Sequence, residues 1–223
     1  MTDQIFKRDL FGEVRLTGAP GRLHVCRDTL PAPWWLAPVA RRLAAREARA
    51  LAHLDALPNV PRLLRWDGVA LDREWLDGLP MQAAKPDQRG YFREALRLLR
   101  RMHRAGIVHN DTAKEPNWLV RPDGSPSLVD FQLAFHFTGR GRLFRMMARE
   151  DLRHLLKHKR TYLPGELTAR QRRILATPAI SARAWKATVK PVYWFVTRRL
   201  LGWSDREGAG DRGQANAPGK RSG

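Results

Sequence analysis

The chain has 223 residues, 43% of them apolar, which is enough for one globular domain or two small lobes with a core. Its single cysteine, Cys26, excludes a disulfide framework and makes a reducing, cytoplasmic location the expectation. The 41 Lys and Arg against 22 Asp and Glu give a formal charge of +19, a field that attracts polyanions such as nucleotides, nucleic acid or anionic lipid, or else reflects solvated arginine-rich helix faces.

The first ten residues carry charge where a signal peptide needs an apolar run, so no leader is expected. No apolar stretch is long enough to span a bilayer. Residues 11–17 alternate and predict a strand; Gly18-Ala19-Pro20-Gly21 predicts a turn, with a reduced phosphate loop as the alternative. Residues 22–27 predict a second strand. The connector Pro31-Ala32-Pro33-Trp34-Trp35 is stiff, and its rings are expected under the following helix, with a peripheral anchor as the alternative.

Residues 36–57 predict a helix whose apolar stripe is Leu36, Ala40, Leu43, Leu51, Leu54 and Leu57. Glu47 falls in that stripe. A carboxylate there is costly unless paired, and Arg27, at the end of the preceding strand, is the natural partner. The alternative puts Glu47 at the edge of the stripe, in water.

Residues 62–66 and 69–76 predict a hairpin about Asp67-Gly68. Residues 87–105 predict an amphipathic helix, ended by Gly106 as a C-cap. Trp118–Val120 and residues 128–131 predict a second hairpin about Pro122-Asp123-Gly124. Asp111, Lys114 and Asn117 precede its first strand and Asp130 closes its second, so folding gathers two carboxylates, an amide and an ammonium. That set suits a divalent metal carrying a phosphate.

Residues 135–145 are basic and glycine-containing; a helix is predicted from Glu150 through about Lys159, with Asp151 as a structural partner for the loop at residue 109. Residues 167–176 predict a basic helix opened by Thr168. Residues 185–203 set aromatics beside arginines, as a packed last helix or an interfacial one does, and residues 204–223 read as a disordered basic tail.

His109-Asn110-Asp111, Asn117 and Val129-Asp130-Phe131-Gln132 are spaced like the His-Arg-Asp, Asn and Asp-Phe-Gly elements of kinases. The chain resembles the protein-kinase-like superfamily, most nearly the small bacterial RIO-type and lipopolysaccharide-core-type kinases. The resemblance implies an α+β, minimal bilobal fold: a sheet and one helix over residues 1–78, then a mostly helical lobe over 79–203. It implies an ATP- and magnesium-dependent phosphotransferase of the serine/threonine kinase type, acting on a hydroxyl of a protein or a lipid-sugar. Asp111 would take the acceptor's proton, Lys114 would offset charge on the transferred group, and Asn117 and Asp130 would hold Mg2+. Arg27 and Glu47 would correspond to the lysine–glutamate pair that holds phosphates, and the backbone from Glu74 to Leu76 would meet adenine. Arg27 stands in place of lysine, Gln132 in place of glycine, and no glycine-rich loop or Ala-Pro-Glu segment is present. Two further readings are a sugar or lipopolysaccharide-core kinase at the inner membrane face and a catalytically weak nucleotide-binding module. A nucleic-acid binder without this chemistry has no motif to carry it.

Overall fold

The computed structural model describes residues 2–19 and 21–177. Strands β1 (Thr2–Asp9), β2 (Gly12–Ala19), β3 (Arg22–Asp28), β4 (Leu63–Trp66) and β5 (Ala70–Glu74) form one antiparallel sheet in the order β1-β2-β3-β5-β4. The edge strand β1 comes from the charged start of the chain. Its Phe6 reaches the inner face, where it joins Leu16 and Val25 and stacks on Trp75 at 5.4 Å. The β2–β3 turn is tight, with Ala19 paired to Arg22. Gly18 is part of this ladder rather than a phosphate loop: its φ is +126°, and a Cβ there would lie 2.4 Å from the Arg22 carbonyl.

Helix α1 (Ala37–His53) leaves the sheet after the proline-rich connector and packs against β4 and β5. It buries Ala40, Ala44, Glu47, Ala48, Ala50 and Leu51. Small residues dominate that face, so the helix lies close to the sheet. The helix stops short of residue 57, in a run of turns.

Beyond the sheet, β6 (Leu79–Pro80) and a short helix α2 (Met81–Ala84) lead to α3 (Arg89–Arg104). The apolar face of α3, with Phe92, Ala95, Leu99 and Met102, is buried as its periodicity requires. Gly106 ends it at φ +77°, and a Cβ there would lie 2.5 Å from the Phe137 carbonyl. That close approach lets β7 (Ile107–Val108) pair with β10 (Phe135–His136). Strands β8 (Trp118–Val120) and β9 (Pro126–Leu128) form the predicted hairpin, with β6 alongside. The second strand ends at Leu128, earlier than expected, because the chain turns at Asp130.

Helix α4 (Arg142–Tyr162) begins eight residues before the predicted start at Glu150. Helix α5 (Ala169–Ala176) starts at Thr168, whose hydroxyl accepts from the Gln171 N–H while the Gln171 side chain accepts from the Thr168 N–H. The expected helix over residues 185–203 and the tail lie outside the described residues.

The architecture is α+β, an antiparallel sheet followed by a largely helical half. The main core does not stop at the expected boundary after residue 78. Ala50, Leu51, Leu54 and Val60 share one cluster with Met81, Phe92, Leu99, Met102, Trp118 and Phe131. The end of α1 is therefore anchored in the helical half. No described helix is long and apolar enough to cross a membrane.

Candidate active site

The loop after β7 is held by α4. Asp151 is buried, and its carboxylate accepts from the His109 N–H at 2.8 Å and the Asn110 N–H at 2.9 Å. His103 Nε2 lies 3.1 Å from the same carboxylate, and the Thr112 hydroxyl donates to it at 3.3 Å. Two helical turns further, His158 Nε2 lies 3.0 Å from the Thr112 carbonyl, which also accepts from Trp118 Nε1 at 3.1 Å. Tyr162 closes the row by donating to Glu115 at 2.6 Å. Asp151, His158 and Tyr162 lie on one face of α4 at helical spacing, so a single helix sets the loop's path.

His109 is packed rather than exposed. The Asp111 N–H donates to its Nδ1 at 3.3 Å, so Nε2 carries the hydrogen and donates to the Val129 carbonyl at 3.0 Å. Its ring meets Phe131 edge-on at 4.7 Å. Histidine here ties the loop to the strand end that presents Asp130, as the sequence implied.

Asp111, Lys114 and Asn117 come together. Lys114 Nζ lies 2.9 Å from Asp111 Oδ2. Asn117 Nδ2 donates to the Asp111 carbonyl at 3.0 Å and to its Oδ2 at 3.1 Å, leaving the amide oxygen as the acceptor. A 3-10 turn, Glu115–Asn117, delivers Asn117 to the start of β8. The Val129 N–H then donates to the Asn117 carbonyl at 2.9 Å, which sets Asp130 beside it. Asn110 and Asp130 both take left-handed backbone, at φ +64° and +67°. Asparagine and aspartate are the side chains that tolerate this region best, so the sequence suits both turns.

Burial would raise the Asp130 carboxyl, but Arg27, Lys114 and Arg73 together outweigh it and hold it down at about 2. Asp130 is therefore ionised at any working pH. Gln132, in place of glycine, donates to Asp130 Oδ1 at 3.0 Å. Lys114 thus pairs with Asp111 and adds positive charge in the neighbourhood of Asp130.

Opposite lies the Glu47 group. Glu47 is 0% exposed, with Oε2 3.3 Å from Arg27 Nε and Oε1 3.1 Å from Arg73 Nε. Neither contact has hydrogen-bond alignment, so these are charge contacts across a dry interior. The expected Arg27–Glu47 pair is present, and a second arginine completes it. Arg73 was not anticipated from the sequence. Its signal was available: Leu71 and Arg73 share one phase of β5, and Leu71 is apolar, so the arginine had to point inward. Glu47→Gln is expected to lower stability by about 3–5 kcal/mol, because two buried guanidinium groups lose their counter-charge. A thermal melt checks this; an unchanged midpoint would place Glu47 outside any ion pair.

The remaining predicted residues are peripheral to this cluster. Glu74 belongs to β5; its N–H donates to the Arg62 carbonyl at 2.9 Å, and its carboxylate lies 3.7 Å from Arg62 Nε. Leu76 packs with Leu119 and Val129, joining the sheet's exit to the hairpin that carries Asn117 and Asp130.

The donor pair of Asp130 and Asn117 is all oxygen, which suits a hard cation such as Mg2+ rather than zinc. Among the described residues, no group of three or more His, Cys, Asp or Glu gathers as a metal site. A scan against protein-family models finds no match, and a search of curated proteins finds no similar sequence.

Proposed function

We propose that this chain is an ATP- and magnesium-dependent phosphotransferase of the kinase-like type, moving the γ-phosphoryl group to a hydroxyl acceptor. Its fold in this reading is minimally bilobal, with the sheet and α1 as one lobe and the hairpin with α3 to α5 as the other. The observation that carries it is the gathering of Asp111, Lys114 and Asn117 by direct contacts, with the Val129 N–H bonded to the Asn117 carbonyl next to Asp130 and Arg27 and Arg73 bringing positive charge from the sheet. Ionised carboxylates, an amide oxygen and three cations in one place are what a metal-bound triphosphate requires.

A bound magnesium ion supplies charge neutralisation on the phosphate oxygens. Asp130 and Asn117 would hold it through their oxygens. Asp111 takes the proton of the attacking hydroxyl at its carboxylate. Asn117 Nδ2 and the 3-10 turn orient that carboxylate; Lys114, on a half-exposed side chain, brings positive charge to the growing negative charge. Arg27 and Arg73 would bring positive charge toward the phosphates from the sheet side, with Glu47 lying against both. Arginine's planar fork suits phosphate oxygens, which is why the lysine-to-arginine exchange is compatible with this role.

Asp111→Asn tests the reading. It should leave magnesium-ATP binding near the wild-type level and lower phosphoryl transfer by about a hundred- to ten-thousand-fold. Labelled ATP and cell extract, separated into protein, lipid and small-molecule fractions, provide the assay and identify the acceptor class. Equal transfer by wild type and variant would remove Asp111 from the chemistry. Binding without transfer in the wild type would favour a nucleotide-binding module.

A further inference from the structure

The connector between β3 and α1 is the most exposed apolar feature of the described residues. Trp34 is 87% exposed, Leu30 67%, Trp35 52% and Val39 47%. The rings were expected under the helix; instead only Ala32 and Leu36 of this stretch are buried. Indole rings left in water, each offering roughly 150–250 Å² of surface, are costly unless something covers them.

The segment is built to present them. Turns close it, with the Ala32 N–H donating to the Thr29 carbonyl at 3.2 Å and the Leu36 and Ala37 N–H groups donating to the Pro33 carbonyl at 2.8 Å. Pro31, Pro33 and Pro38 fix the backbone further, so little order is lost on docking. The exposed side chains stand at the start of a helix, on a turn that its own backbone bonds hold.

Charge identifies the layer. Residues 29–46 contain no Asp or Glu, and the exposed Arg41 and Arg42 follow Trp34 and Trp35 at a spacing of seven. At ~1.5 Å per helical residue these arginines stand roughly 6–8 Å along α1 from its first residue, Ala37, just behind the turn that carries the rings. The nearest carboxylate before the tip, Asp28, already caps the Leu30 N–H at 2.9 Å and lies 3.8 Å from Arg15. A second copy of a chain carrying +19 is repelled. A nucleic acid would meet Arg41 and Arg42 but leave Leu30 and Val39 uncovered.

We propose that the Leu30–Trp34–Trp35–Val39 tip docks on an anionic lipid bilayer, the indoles seated at the headgroup boundary and Arg41 and Arg42 against lipid phosphates. This holds whether or not the Asp111 site transfers phosphate.

The test uses the full chain with sonicated vesicles of equimolar phosphatidylglycerol and phosphatidylcholine, whose acyl chains are brominated to quench nearby tryptophan. Electrostatic attraction alone is removed at about 0.5 M NaCl. The wild type should still sediment with the vesicles there and lose tryptophan emission. Trp34→Ser/Trp35→Ser should weaken sedimentation at least about tenfold and recover that emission. If the double variant melts lower than wild type, Trp34→Ser alone gives the same readout, since that ring touches little protein. Equal sedimentation and quenching by wild type and variant would overturn the proposal. So would absent wild-type binding, or a variant whose change is loss of a dimer rather than of vesicle affinity.

Discussion

Replacing Asp151 by alanine is expected to lower stability by about 3–5 kcal/mol and to abolish activity at the candidate site with it. The buried carboxylate accepts from the His109 and Asn110 N–H groups and the Thr112 hydroxyl, and His103 lies against it. Truncation removes the acceptor of the buried His109 N–H and of the part-buried Asn110 N–H, and leaves the Thr112 hydroxyl only the residue 151 carbonyl at 3.2 Å. Against a typical total of about 5–15 kcal/mol, such a loss is a large fraction. Asp151→Asn, which keeps one accepting oxygen, should lose less. Thermal melts of the two variants decide it: equal midpoints for Ala and wild type would mean that the loop holds itself.

The second large effect is expected on binding. Asp130→Asn should remove the magnesium-dependent part of ATP affinity, by at least about a hundredfold, because a neutral amide is a weak ligand for a hard cation. Asparagine is the right replacement, since residue 130 sits at φ +67°, where asparagine is at home and alanine is strained. The variant also loses the negative charge facing Arg27, Arg73 and Lys114. Metal-free ATP should therefore bind it as well as wild type, or better. Titration calorimetry with and without magnesium separates the two parts. An unchanged magnesium dependence would move the metal away from Asp130.

Much of the site was legible because its parts obey short-range rules. Helical phase put Glu47 on the buried stripe, and hairpin geometry put Asn117 and Asp130 at neighbouring ends. Asp151 was recognisable as a carboxylate on a helix near a polar loop. Arg73 was missed because the stretch after Asp67-Gly68 was read as a hairpin strand without following its two-residue phase inward from Leu71. Long-range partners such as His158 and Tyr162 leave no local trace; only folding shows that α4 runs beside the loop. The early start of α4 was hidden by Gly139, Gly141 and the clustered arginines of residues 140–145. Strand β1 was passed over because its inward contact, Phe6 on Trp75, joins residues far apart in sequence.

The two-sided grip on Glu47 bears on control. In a helix meant to pivot, one ion pair opens and closes. Here outward rotation of α1 would strand a guanidinium on each of β3 and β5 and drag Leu51 and Leu54 from the core they share with Phe92. At about 4 kcal/mol or more, the rotated form would hold roughly one molecule in a thousand. The resting protein is thus already in its assembled arrangement. In the phosphotransferase reading proposed above, control would act on access of the hydroxyl acceptor, or on where in the cell the chain is parked, rather than on this helix.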